Sequence, residues 1–141
     1  MPQLTSQEAD ALANRFLGLA QALGDYRHSH WNQLSKSENL SLGELQSALL
    51  NASDEMTYEA TSLIIDDVHD SLVKIDEVSN DIRHSINNIE KVQKVIYIAT
   101  SLVALGAAIV NKDPESIEAS IQQLVNDWKA VKTSEPGFGV I

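Results

Sequence analysis

Between Glu44 and Leu105 the chain has neither glycine nor proline, and through the same stretch β-branched aliphatic residues return at every seventh position: Val68, Ile75, Ile82, Ile89, Ile96, Val103 and then Val110. A seven-residue apolar repeat is a helical seam, because about 3.5 residues per turn bring each repeat back to the face that meets a neighbouring helix. The repeat predicts an all-α fold of helices lying lengthwise on one another.

At 141 residues the chain fits a single domain, long enough to bury a core without a disulfide or metal to hold it. A hydrophobic share of 43% with only 5% aromatics suits aliphatic helix packing. Having no cysteine removes disulfides, thiolate zinc sites and cysteine nucleophiles. Twenty acids against ten bases give a net charge of −10, which repels phosphate backbones and anionic membranes and favours basic protein partners or plain solubility. The opening Met-Pro-Gln-Leu-Thr-Ser-Gln-Glu has no basic region followed by an apolar run, and cytoplasmic residence is the expectation.

Helix starts are marked at three places. Thr5 and Glu8 have capping-box spacing, and Leu12, Phe16, Leu19, Leu23, Tyr26, His30 and Leu34 follow at alternating steps of four and three, predicting a helix over 6–34 ended by polar 35–39. Ser41 and Glu44 form a second box, with Leu40 and Leu45 placed as a hydrophobic staple. Asp113-Pro114-Glu115 gives a capping aspartate, a proline at the first helical position and an acid at the positive end of the dipole. Ile117, Ile121, Leu124, Trp128 and Val131 carry that last helix to about Lys132.

Residues 41–110 form one helix or two. Unbroken, they would make a helix of about 105 Å, whose apolar stripe only a dimer could cover. A turn at Val78–Asp81 is simpler, since Ser79, Asn80 and Asp81 compete with the helix backbone and can cap a new helix. The predicted fold is therefore an antiparallel up-down four-helix bundle with helices over 6–34, 41–78, 81–110 and 114–132. Residues 1–132 are its single domain and 133–141 a loose tail. The alternative is a dimeric three-helix chain with one very long central helix. Homodimerisation is expected in either case, because Leu63-Ile64-Ile65 is wider than one seam needs and a short last helix leaves a groove.

Acids concentrate between Asp54 and Asp81, with Lys74 the single base among them. Glu55, Glu59, Asp66, Asp70, Glu77 and Asp81 are separated by steps of four and seven, so they share one helical line that points away from the seam. A solvated face explains such a stripe; the functional reading is a docking surface for a basic partner, with Glu59, Asp66, Asp70, Glu77 and Asp81 as its contacts.

Three Asp-x-x-His pairs (Asp25/His28, Asp66/His69, Asp81/His84) place an oxygen and an imidazole on one helical face, the spacing used by metal-binding bundles. Bundles of that kind aim glutamates and histidines into the core, whereas these residues face outward, so surface capping and ion pairing account for them. His30 lies on the first apolar stripe, where a hydrogen-bonded structural histidine is the ordinary case. Val95 to Val110 carries no charge but is shorter than the roughly 20 apolar residues a membrane span needs, and it reads as a buried core helix.

No catalytic residue, cofactor or metal site is expected. The sequence points to a non-catalytic interaction protein of inhibitor, immunity or chaperone type. A metal- or small-ligand-binding bundle and a membrane-active helical protein are the alternatives.

Overall fold

The computed structural model describes residues 6–59, 65–111 and 113–134; at 57–59 and 65–71 the description extends to helical position alone. The protein is all-helical. The described residues form five α-helices, α1 (Ser6–Ser29), α2 (Lys36–Glu59), α3 (Ile65–Ser85), α4 (Val92–Val110) and α5 (Pro114–Ser134), with 3-10 turns at Trp31–Gln33 and Ile86–Asn88. Four helices were expected, and the boundaries differ where capping signals compete.

The first helix stops at Ser29 rather than residue 34, because a second capping box intervenes. The Ser35 backbone N–H donates to Glu38 Oε1 at 2.8 Å and the Glu38 N–H donates to Ser35 Oγ at 3.1 Å. This reciprocal pair starts α2 at Lys36 and leaves Ser41 and Glu44 inside the helix. Leu40 is 64% exposed and forms no staple, while Leu42 is fully buried.

The expected turn at Val78–Asp81 is also absent. Residues 79–81 lie inside α3, where Ser79 is buried and Asp81 is held by α5, so tertiary contacts override their capping tendency. The break falls at 86–91, where the 3-10 turn ends in extended Ile89. A continuous helix over 41–110 is therefore excluded. Ile75, Ile82 and Ile89 are fully buried, whereas Ile96, Val103 and Val110 are partly buried against the same core. On α4 the buried line is instead Val95, Ile98, Leu102, Leu105 and Ile109.

Packing follows a ring in which α1 neighbours α2, α2 neighbours α4, α4 neighbours α5, α5 neighbours α3, and α3 returns to α1. Ser53 Oγ donates to the Ala13 carbonyl and Arg27 Nε to Asn39, so α1 and α2 are antiparallel. Gln93 reaches Glu38 while Gly106 lies beside Ala52, making α2 and α4 parallel. Arg15 pairs with Asp76 and Gly18 meets Arg83, so α3 runs with α1. The short link at 111–113 turns α5 back along α4. Helices α1, α3 and α5 thus run one way and α2 and α4 the other.

Phe16 is fully buried, and a Cβ built on Gly106 would stand 3.2 Å from its ring and 3.1 Å from Ala52 Cβ. Glycine is what lets α1, α2 and α4 converge there. The last helix, at 21 residues, slightly exceeds the 19 of α4, so it is not the short last helix expected from the sequence. Leu63 and Ile64, the other ground for a dimer, lie outside the described residues, as do Thr5 and the tail from 135 onward.

Candidate interaction surfaces

Alternating direction sorts charge by end. One end gathers the starts of α1, α3 and α5 with the finish of α2: Glu8 and Asp10 on α1, Asp54, Glu55 and Glu59 on α2, positions 66, 67 and 70 on α3, and Asp113, Glu115 and Glu118 at α5. The opposite end is mixed: Arg27, Lys36, Lys91 and Lys94, with Arg83, Lys129 and Lys132 near it, stand among Asp25, Glu38, Glu44 and Glu90. Acids at helix starts and bases at helix finishes are ordinary dipole preferences for α1, α3 and α5. On α2 the first turn carries both Lys36 and the capping-box acid Glu38, but the last turn has no base and ends in Glu59. Lys91 at the N-cap of α4 likewise faces the positive end of a dipole, with no acid in the first turn. Dipole preference therefore accounts for the acids of α1, α3 and α5 but not for Glu59 at the finish of α2 or Lys91 at the start of α4.

The five acids read from the sequence as one contact line separate in the structure. Glu59, Asp66 and Asp70 occupy the last position of α2 and the first two turns of α3, at the acidic end; their side chains lie outside the described residues. Glu77 is exposed farther along α3, beside a cleft of about 330 Å³ between α3 and α5 that Lys74, Lys129 and Lys132 also line. Asp81 keeps a side chain 44% exposed but is paired across to α5 and is not a free surface acid. Its Oδ2 accepts from Trp128 Nε1 at 2.6 Å and from Lys132 Nζ at 2.8 Å. Burial disfavours its ionised form, but the Lys132 and Trp128 hydrogen bonds, with the charges of Lys132 and His84, outweigh that and hold the carboxyl below its ordinary value.

Asp127 was not legible as a site residue, yet it is the one acid buried to 5% exposure among the described residues. Tyr97 Oη donates to Oδ1 at 2.7 Å, Ser101 Oγ to Oδ2 at 2.6 Å and Gln123 Nε2 to Oδ1 at 2.8 Å. Burial opposes ionisation here too, and the three donors overcome it, so the Asp127 carboxyl is held low. The same contact raises the Tyr97 hydroxyl, through the hydrogen bond first and the carboxylate charge second. The signal in the sequence was an acid on the edge of the α5 apolar stripe, one residue before Trp128, facing hydroxyls spaced i, i+4 on α4. Its chemistry is that of a clamp joining α4 to α5.

His30 Nδ1 lies 3.0 Å from the Tyr26 carbonyl, and the two rings stack with centroids 4.0 Å apart. Tyr26 is buried and donates to the Ile89 carbonyl at 3.3 Å. Asp25 and His28 are exposed, His84 Nδ1 sits 2.8 Å from the Asn80 carbonyl, and His69 falls outside the described side chains. Among the described residues no three potential metal ligands come together. Helix α4 is long and apolar enough to cross a membrane by length and composition alone, a test that the core helix of a soluble protein also passes. Here it lies between α2 and α5. No known protein family, curated protein or solved structure matches the chain.

Proposed function

We infer that this chain is a non-catalytic interaction protein that binds a basic protein partner through the acidic end of its helices. One observation carries the reading: acids from four helices collect at one end, including the finish of α2, where they oppose the helix dipole. At Glu59, in the last turn of α2, the dipole costs about 0.3–1 kcal/mol of helix stability, so the dipole does not explain that placement. Clustered like charge raises the association rate of an oppositely charged partner and sets its orientation, which suits an inhibitor, immunity or chaperone type of protein.

The contacts proposed are Asp54, Glu55, Glu59, Asp66 and Asp70. Asp81 is omitted because it is already paired, and Glu77 because three lysines share its cleft. The test is affinity capture from the native cell with the wild-type chain and with a triple Glu55→Lys, Asp66→Lys, Asp70→Lys variant. Loss of a basic protein with the triple variant, and its retention with Glu77→Lys, supports the reading; equal recovery by all three refutes it.

A further inference from the structure

Helix α2 carries a second seam on the side opposite its core contacts. Leu42, Leu49 and Met56 are its fully buried line. Half a turn round the helix, Lys36, Leu40, Gly43, Ser47, Leu50 and Asp54 follow at steps of four and three, the spacing that keeps residues on one helical face. All but Gly43 are exposed, Leu40 to 64% and Leu50 to 37%. A face built only for water would carry charge along its length, whereas the residues between Lys36 and Asp54 on this line carry none. Leu40, Gly43 and Ser47 line a surface hollow of about 610 Å³ that runs along the side of the helix to Asn51.

This seam is symmetric about Leu45. Turned end for end, it sets Lys36 opposite Asp54, Leu40 opposite Leu50 and Gly43 opposite Ser47. We propose that this face of α2 packs on the same face of a second copy of the chain, antiparallel, across a two-fold axis level with Leu45. In a two-fold interface residue i meets residue j and j meets i, so the surface must be complementary to its own reverse. Here base meets acid at both ends, leucine covers leucine, and the small residues between them let the two helices approach closely. A foreign partner would not require that symmetry.

Each copy has a net charge of −10, but the seam itself is balanced, with one base and one acid. Glu38 lies on the far side of α2, against Gln93, and Arg27 is tied to Asn39 and Gln46. Glu44 stands beside the seam and faces its own copy near the axis, a like-charge pair that weakens the contact. From residue 36 to 54 the seam is about 27 Å long and one helix wide, at the small end of stable interfaces, so micromolar association is expected. Because the copies run antiparallel, their two acidic ends lie at opposite ends of the dimer.

Sedimentation equilibrium of the full chain from about 5 to 500 μM tests this, and a monomer–dimer equilibrium is expected. Leu40→Glu should weaken it by about tenfold or more, and Glu44→Gln should tighten it. Lys36→Asp and Asp54→Lys should each weaken it, while the double exchange recovers most of the loss. Circular dichroism showing unchanged helix content keeps these variants interpretable. The chain has no cysteine, so introduced thiols report orientation. Leu40→Cys chains mixed with Leu50→Cys chains should form a disulfide with each other and neither with itself, since like positions lie about 15 Å apart along the pair. A chain monomeric throughout, a dimer indifferent to Leu40→Glu or to the charge exchange, or disulfides between like positions overturns the proposal. Asp66→Lys with Asp70→Lys lies off the seam and should leave the dimer unchanged, so this proposal and the acidic-end reading fail separately.

Discussion

At the scale of single residues, two aspartates tie the last helix down and one serine works against its surroundings. Asp127→Ala removes the acceptor for Tyr97, Ser101 and Gln123 and should cost about 2 kcal/mol in urea unfolding, while Tyr97→Phe, which removes one donor at an exposed position, should cost about 1 kcal/mol or less. Both Asp81 and Asp127 have folded-state values below the ordinary aspartate value of 3.8, so the stability they contribute is complete above that value. It is lost as pH falls through the lowered folded values. Acid titration of stability should therefore steepen below about pH 4, and Asp81→Asn with Asp127→Asn should flatten that limb. Ser79 is 2% exposed and its Oγ has no hydrogen-bond partner among the described residues. Ser79→Ala should leave stability unchanged or raise it by up to about 1 kcal/mol, the reverse of an ordinary core truncation. None of these three roles was legible in the sequence, because each depends on which residue of a distant helix arrives opposite.

Among elements, what could be read was the helical period, and what could not was which of several equivalent local signals would be used. The boxes Ser35–Glu38 and Ser41–Glu44 have the same spacing, yet only the first starts a helix. Ser35→Ala should then cost about 1 kcal/mol and Ser41→Ala close to nothing, a pair that thermal unfolding separates. The seven-residue repeat passed through a real break at 86–91 because Ile89, extended and outside any helix, is buried by its own route, under Tyr26. Coincident spacing across a turn hid the turn, and Asn87-Asn88, a pair that favours turns, was a signal left unused. The start of the last helix was read correctly at Pro114, where Asp113 accepts from the Glu115 N–H at 3.2 Å and from Ser116 Oγ at 2.8 Å. Packing between elements adds a sharper test. Gly106→Val should destabilise the fold by about 2 kcal/mol through overpacking against Phe16 and Ala52.

For the whole molecule, the sequence showed an excess of acid and a line of carboxylates, but charge counted along a chain does not say where charge meets in space. Five alternating helices turn a modest clustering in residues 54–81 into an acidic end opposite a mixed one, and they divide the predicted contact line. Glu59, Asp66 and Asp70 fall at the acidic end, while Glu77 and Asp81 lie among lysines. The account rests on that separation. An amide-resolved NMR titration of the full chain with a deca-lysine peptide reads it most directly. Shifts should gather at 8–10, 54–59, 66–70 and 113–118 and should weaken with added salt. Shifts spread evenly over all five helices, or centred on 27–36 and 91–94, would contradict it.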